Sequence, residues 1–331
     1  MAENSCQLNP LFAGSFLYVV KWHSKINSSY NKKNTSKMEE MKMNAVLFGG
    51  DARQLEISRI LVQHGYDVWM IGFEQIEIIK NVKKIKTDDL HSLSIDLFVL
   101  PVSGVKENGE VEASFANEPL FFTKEIADKI PESCAVMSGI KTAALKQMIQ
   151  REVTILFERE DAAIHNSIPT AEGTLMIAMQ QTPFTIHQSK VMVVGFGRVG
   201  MTTARLFHQV GATVSTAVRE TGRFARASEM GIDPFYMEEL HTQAGLADII
   251  INTVPALLLT DEVIRQMKKT AIIIDLASMP GGTDFKAAEA AGIQAIHALG
   301  LPGKAAPETA GKILGQVIVN AAREWKMERG L

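Results

Sequence analysis

The stretch VMVVGFGRVGMTTARLFHQVGATVSTAVRE, residues 191–220, constrains the fold of this chain more than any other. Gly195, Gly197 and Gly200 follow an apolar run of strand character and open a helical stretch that stops at Gly211, after which a second β-branched run begins. Strand, glycine turn, helix and strand within about 30 residues make a dinucleotide-binding unit. The first glycine permits the tight turn, the second lets the backbone approach a pyrophosphate, and the third allows close helix–strand packing. The helix N-terminus offers free N–H groups and partial positive charge to phosphates. Phe196, Arg198 and Val199 complete the binding turn.

The second strand selects the cofactor. An NAD site carries Asp or Glu about 20 residues past the glycines, and an NADP site replaces it with a cation. That place holds Arg219, followed by Thr221 and Arg223. Guanidinium groups can chelate a 2′-phosphate through charge-assisted hydrogen bonds, so NADP is preferred over NAD, although Glu220 keeps open a solvated loop there. Thr253, Val254 and Pro255, then Ala277 and Ser278, end later strands at the carboxyl edge, where ligands bind in open α/β sheets.

A second strand–turn–helix–strand pattern, AVLFGGDARQLEISRILVQHGYDVWMIGF at residues 45–73, has the wrong turn for a nucleotide. Counting from Gly49 puts Asp51 at the third place and Gln54 at the sixth. Further apolar runs alternate with helical stretches throughout, so the expected fold class is α/β: two Rossmann-like parallel-sheet domains joined by a linking helix. The N-terminal domain spans 44–165, the linking helix 166–187 and the cofactor domain 188–304. One amphipathic C-terminal helix, 305–331, returns to the first domain.

Residues 1–43 are Asn/Lys/Ser-rich and aperiodic, and are expected to be disordered. Two explanations stay open for them, an over-called start ahead of Met38, Met41 or Met43, or a partner-binding or targeting tail. With 46% apolar and 21% charged residues, the remainder can bury two cores. The net charge of −3 gives no general attraction for nucleic acid or acidic membranes. Cys6 and Cys134 form no metal-binding or disulfide pattern, which fits a reducing cytoplasm and no metal site. No apolar run reaches the roughly 18 residues of a membrane span.

GGDARQLE, FERED, NSIPTAEGTLMIA, VGFGRVGMTTARLF, DLASMPGGTDFKAAE and GLPGKAAPETAG, in this order, resemble the dipicolinate synthase A-subunit family of spore-forming bacteria over residues 44–329. The resemblance implies oxidation of a dihydrodipicolinate-type heterocycle, drawn from the lysine and diaminopimelate branch, to pyridine-2,6-dicarboxylate during sporulation, and Arg219 makes NADP the expected oxidant. It also implies a partner, the flavoprotein-like B subunit, and a location in the mother-cell cytoplasm; a homo-oligomer is compatible with it. Met279 departs from the family, whose members carry a basic residue there.

A dianionic substrate needs cations and N–H donors. Arg53, on a helix's first turn, is the expected carboxylate clamp. Gly50, Gln54, Ser103, Ser138, Gly139, Asn166, Ser167, Thr170 and Lys304 lie on the loops expected around it. Asp51, Glu172 and His165 are candidate proton acceptors, and each has a plainer reading: a helix cap, a turn residue and a satisfied boundary histidine. Two rival functions remain at this stage. A D-2-hydroxyacid dehydrogenase shares the plan but needs a catalytic histidine near the chain end, whereas His297 lies on the last strand. A non-catalytic NADP sensor leaves the polar loops of the first domain unexplained.

Overall fold

The computed structural model describes residues 43–330. The extension expected over residues 1–43 lies outside the described residues, save Met43, which begins the first strand. In the first half of the chain stand β1 (Met43–Phe48), β2 (Tyr66–Ile71), β3 (Val82–Lys84), β4 (Leu97–Val99), β5 (Glu110–Val111), β6 (Leu120–Phe121), β7 (Ala135–Ser138) and β8 (Thr154–Ile155). Six of them form a parallel sheet in the order β3-β2-β1-β4-β7-β8, while β5 and β6 pair separately as an antiparallel ribbon. The second half supplies β9 (Lys190–Val194), β10 (Thr213–Val218), β11 (Asp233–Tyr236), β12 (Ile249–Asn252), β13 (Ile272–Asp275) and β14 (Gln294–His297). Their order, β11-β10-β9-β12-β13-β14, repeats the first sheet strand for strand. Both are doubly wound sheets in which the connection reverses direction beside the first strand, and that reversal opens a crevice at the carboxyl edge.

The strands at the sheet centres are continuous apolar runs because helices cover both faces. Ile249–Asn252 and Ile272–Asp275 are buried at every position. One face of the first sheet packs Phe48, Phe98 and Phe122 at centroid separations of 5.7–5.9 Å, spacings that favour tilted and edge-on aromatic contact. The other face receives α1 (Arg53–Gln63), which buries Ile57 and Leu61 and stops at Gly65, whose φ of +84° suits a left-handed C-cap.

The linking helix, α2 (Glu160–Gln181), starts six residues before the expected Asn166 and ends six before the expected position 187. Its first turn carries Glu160 and Asp161, and Asp161 accepts a hydrogen bond from the Ala162 N–H at 2.9 Å while ion-pairing with Arg159. Acidic side chains suit this end of the helix dipole. The Arg159 guanidinium holds the Asp161 carboxyl below the usual range. Pro169 therefore lies inside the helix rather than at its start, with Thr170 Oγ1 donating to the Asn166 carbonyl nearby.

In the cofactor domain the helices that matter for the cleft are α3 (Arg198–Gln209) and α4 (Thr221–Glu229). The single terminal helix expected over 305–331 is broken. A short α5 (Leu301–Ala305) precedes α6 (Pro307–Arg329), with Ala306 at φ −146° between them, since a residue before proline is pushed out of the helical region. α6 does return to the first sheet. Gly311 and Gly315 let its backbone lie against α1, where an added Cβ would meet Arg53 O at 2.6 Å and Ile60 Cβ at 2.8 Å. Leu314, Val317, Ile318 and Trp325 then join the first core, each large apolar side chain contributing about 1.5–3 kcal/mol. No helix among the described residues is long and apolar enough to cross a membrane.

Candidate active site

The carboxyl ends of the two sheets border a cleft of about 1950 Å³. The loops after β9, β10, β12 and β13 make one wall, and those after β1, β4, β7 and β8, with the first turns of α2, make the other.

On the cofactor side the three glycines differ in their surroundings as their expected roles require. Gly195, at φ +93°, has Val254 Cγ2 at 2.6 Å from where a Cβ would stand. At Gly200 a Cβ would fall 2.1 Å from Gly195 O, so strand and helix touch through backbone alone. At Gly197 nothing lies within 4 Å, which leaves room for a pyrophosphate beside the N-terminus of α3. A dinucleotide therefore fits the residues present. Of the expected cofactor contacts, Gly195 to Gly200, Arg219, Arg223, Thr253, Val254, Pro255 and Ser278 line the cleft.

Two do not. Thr221 is exposed at the start of α4, away from the lining, and Ala277 is buried in the turn that follows β13. That turn is organised by Asp275, a buried carboxylate that accepts from Asn252 Nδ2, the Ala277 and Gly282 N–H groups and Thr283 Oγ1 at 2.6–2.9 Å. Four donors satisfy its lone pairs, so the loop carrying Ser278 and Met279 is held from below. Arg223 donates to the Phe196 carbonyl at 2.5 Å and pairs with Glu220 at 3.4 Å. Arg219 pairs with no carboxylate among the described residues.

On the opposite wall the turn after β1 is filled by the chain itself. The Gly49 N–H donates to Ile71 O at 2.9 Å, the Gly50 N–H to Glu112 O at 2.6 Å, and Ser114 N–H donates back to Gly50 O. A Cβ on Gly49 would stand 2.6 Å from Glu112 O. The glycines thus admit the β5 strand and its continuation, and Gly50 does not line the cleft, which corrects the expectation that it meets substrate. Gln54 is corrected as well: it is buried against Gly50, its amide without a partner among the described residues. Ser138 turns inward to donate to Ile140 O, and Gly139 packs directly on the Val102 backbone. Lys304 is exposed away from the lining.

Arg53, Ser103, Asn166, Ser167 and Thr170 do line the cleft. Arg53 is held by both oxygens of Asp51 at 2.6–3.0 Å and backed by Gly303. Asp51 also accepts from the Arg53 N–H just ahead of the helix, whose N-cap is Ala52, so it is committed to that arginine rather than standing as a free base. Glu172 and His165 are exposed on α2 outside the cleft, because a helix presents only one face to it. Asn166 Oδ1 is buried without a partner among the described residues, and Ser167 is bonded to Thr202 of α3 at 2.7 Å.

Several lining residues escaped the sequence analysis. Arg205 repeats Arg198 two helical turns on, and Arg226 follows Arg223 by one, so helical spacing held the signal for both. Glu160 also lines the cleft, paired with Arg198 at 2.7 Å. His297, the nearest counterpart to the rival dehydrogenase's histidine, is bonded to Ala277 O and does not line it. The remaining cysteine in the described residues, Cys134, is buried, which pushes its thiol up to about 12 and leaves it inert.

The comparisons with known proteins agree in direction. Residues 44–158 match the model of the dipicolinate synthase A-subunit N-terminal domain, and residues 159–331 that of the alanine dehydrogenase/PNT C-terminal domain. The dipicolinate synthase A-subunit of Bacillus subtilis (strain 168) is 44% identical over 288 residues, 86% of this chain and 97% of the relative. The crystal structure of the dipicolinate synthase A-subunit from Bacillus halodurans is similar at 44% identity and a TM-score of 0.82, over 85% of this chain and 97% of that one. The crystal structure of its Bacillus subtilis counterpart is similar at 43% identity and a TM-score of 0.82, over 87% and 98%.

Proposed function

This chain belongs to the dipicolinate synthase A-subunit family, and from that premise we propose that it is an NADP-dependent oxidoreductase that converts a dihydrodipicolinate-type heterocycle to pyridine-2,6-dicarboxylate. The heterocycle derives from 4-hydroxy-tetrahydrodipicolinate, and the setting is a sporulating cell in which the partner is the flavoprotein-like B subunit. The observation that carries the reading is the Gly195–Gly200 turn opening onto a cleft whose far wall offers one arginine and several hydroxyls.

A nicotinamide cofactor bound there supplies the hydride acceptor. The chain's own residues bind and orient. The glycine turn and the start of α3 hold the pyrophosphate, Arg219 the 2′-phosphate, and Thr253 to Pro255 with Ser278 border the nicotinamide end. Because oxidation of the dihydropyridine gains aromaticity, the site must chiefly align the ring and accept one proton.

Arg53 is the carboxylate clamp. Its pairing with Asp51 fixes the guanidinium in orientation, and the side chain is still 13% exposed at the cleft wall. Arg53→Ala is expected to raise KM by about 10- to 100-fold, in line with the roughly 1.5–3 kcal/mol of a charged hydrogen bond, while NADPH affinity stays within about twofold. An unchanged KM in a folded variant would reduce the Asp51–Arg53 pair to a structural staple.

The function itself is tested by mixing the protein, alone and with its flavoprotein partner, with 4-hydroxy-tetrahydrodipicolinate and NADP, and following NADPH absorbance. NADPH should accumulate. No turnover in either mixture, with NADPH binding intact, would leave a cofactor sensor as the better account.

A further inference from the structure

The cleft wall opposite the glycine turn contains a hydroxyl already coupled to a carboxylate. Ser103, in the turn after β4, lines the cleft, and its Oγ donates to Glu112 Oε2 at 2.8 Å. Glu112 comes from the end of the β5–β6 ribbon, and its backbone carbonyl is the acceptor for the Gly50 N–H. The close approach that Gly49 and Gly50 permit therefore fixes this glutamate behind the cleft wall. No cation among the described residues pairs with the Glu112 carboxylate.

The other acidic residues that line the cleft, and Asp51 beside Arg53, are committed elsewhere. Asp51 is held by Arg53, Glu160 by Arg198, and Glu220 by Arg223 at the end of the cleft expected to hold the adenosine. No histidine lines the cleft among the described residues. We propose that Ser103 and Glu112 form the proton-accepting pair of the oxidation, an inference that rests on the function proposed above. A hydride leaves one ring carbon for the nicotinamide of NADP, carrying two electrons. The neighbouring ring carbon gives its proton to Ser103 Oγ as the hydroxyl proton passes to Glu112 Oε2. Two C–H bonds break, one ring π bond forms, and Glu112 later releases the proton to water at the cleft mouth. Ser103 is the catalytic residue and Glu112 acts through it.

Glu112→Gln preserves the shape and the acceptor for the Ser103 hydroxyl but removes the base. General-base assistance contributes about 10²- to 10⁴-fold, so kcat should fall by at least about 100-fold with NADPH affinity unchanged, and the acidic limb of the kcat profile against pH should flatten. Ser103→Ala should reproduce both effects. A second measurement needs neither turnover nor cofactor. Dipicolinate, a dianion, should bind Glu112→Gln more tightly than the wild type at neutral pH, because the variant removes a negative charge from behind Ser103. A wild type that turns over beside a Glu112→Gln variant of equal rate, or one slower with an unchanged pH profile, overturns the pair while leaving the proposed function standing. If the wild type does not turn over, the proposed function fails, and the binding measurement alone decides the pair: equal dipicolinate affinity in wild type and variant refutes it.

Discussion

Gly200→Ala is expected to lose both cofactor binding and stability, whereas Gly197→Ala should lose binding alone. An alanine Cβ at position 200 would sit 2.1 Å from Gly195 O and 3.2 Å from Thr253 Oγ1. The nearer neighbour is backbone at the end of β9, with no rotamer by which to yield, so α3 must move away from the sheet. Overpacking of this kind costs about 1–3 kcal/mol, which for a domain of this size lowers Tm by about 2–4 °C per kcal/mol. Displacing α3 also takes its N-terminal N–H groups out of register with a pyrophosphate, and NADPH affinity should fall by at least about 100-fold, or ~2.7 kcal/mol. At Gly197 the space is open, so a methyl group there leaves Tm within about 1 °C but projects where the phosphates approach. Thermal unfolding and NADPH fluorescence titration of the two variants separate the effects. Equal Tm losses in both, or NADPH affinity retained in Gly200→Ala, would contradict the separate roles given to these glycines.

Much of this architecture was legible because its signals are local. The glycine turn announces itself within 30 residues, and the apolar runs that became central strands need no partner to be recognised. The turn after β1 shows where locality ends. Gly49 and Gly50 look like a ligand-binding pair, and their neighbours in sequence give no hint that the close approach is by Glu112 and Ala113, some 60 residues later. Those residues directly follow a two-residue strand, β5, in a loop-rich segment too short for periodicity to reveal.

The same limit governs side-chain direction. Ser138 and Gly139 were placed at the right strand end, yet it is Ile140 that reaches the cleft while Ser138 is buried, since the chain turns at Gly139, which packs on the Val102 backbone, and Ser138 Oγ donates to Ile140 O across that turn. Glu172 and His165 failed for the helical version of this reason. Only the stripe of α2 containing Asn166, Ser167 and Thr170 is turned inward, and starting the helix at Asn166 instead of Glu160 hid that stripe's full extent. Acidic residues at Glu160 and Asp161 were the stronger start signal, outweighing the turn-like Asn-Ser before Pro169.

Arg219→Asp should reverse the cofactor preference. Arg219 follows β10 directly and lines the cleft, and unlike Arg223 and Arg226, each paired with a glutamate, it is held by no carboxylate among the described residues. A guanidinium free of internal partners has no ion pair to give up when it meets a 2′-phosphate, and the charge-assisted bond contributes about 1.5–3 kcal/mol. The wild type is therefore expected to bind NADPH at least about 10-fold more tightly than NADH at low salt, with the gap narrowing as ionic strength screens an exposed pair. Aspartate at this position removes the cation and sets a negative charge against the phosphate. NADPH affinity should drop by about 100-fold or more, while NADH, whose 2′-hydroxyl the new carboxylate can accept from, should hold or gain. Arg219→Ala separates the two contributions: it should lose the preference without acquiring the opposite one. Parallel titrations of both nucleotides against the three proteins, at low and high salt, give the answer. A wild type indifferent between NADPH and NADH, or an aspartate variant with the wild-type ratio, would return Arg219 to a solvated loop and leave the second strand without a say in the cofactor.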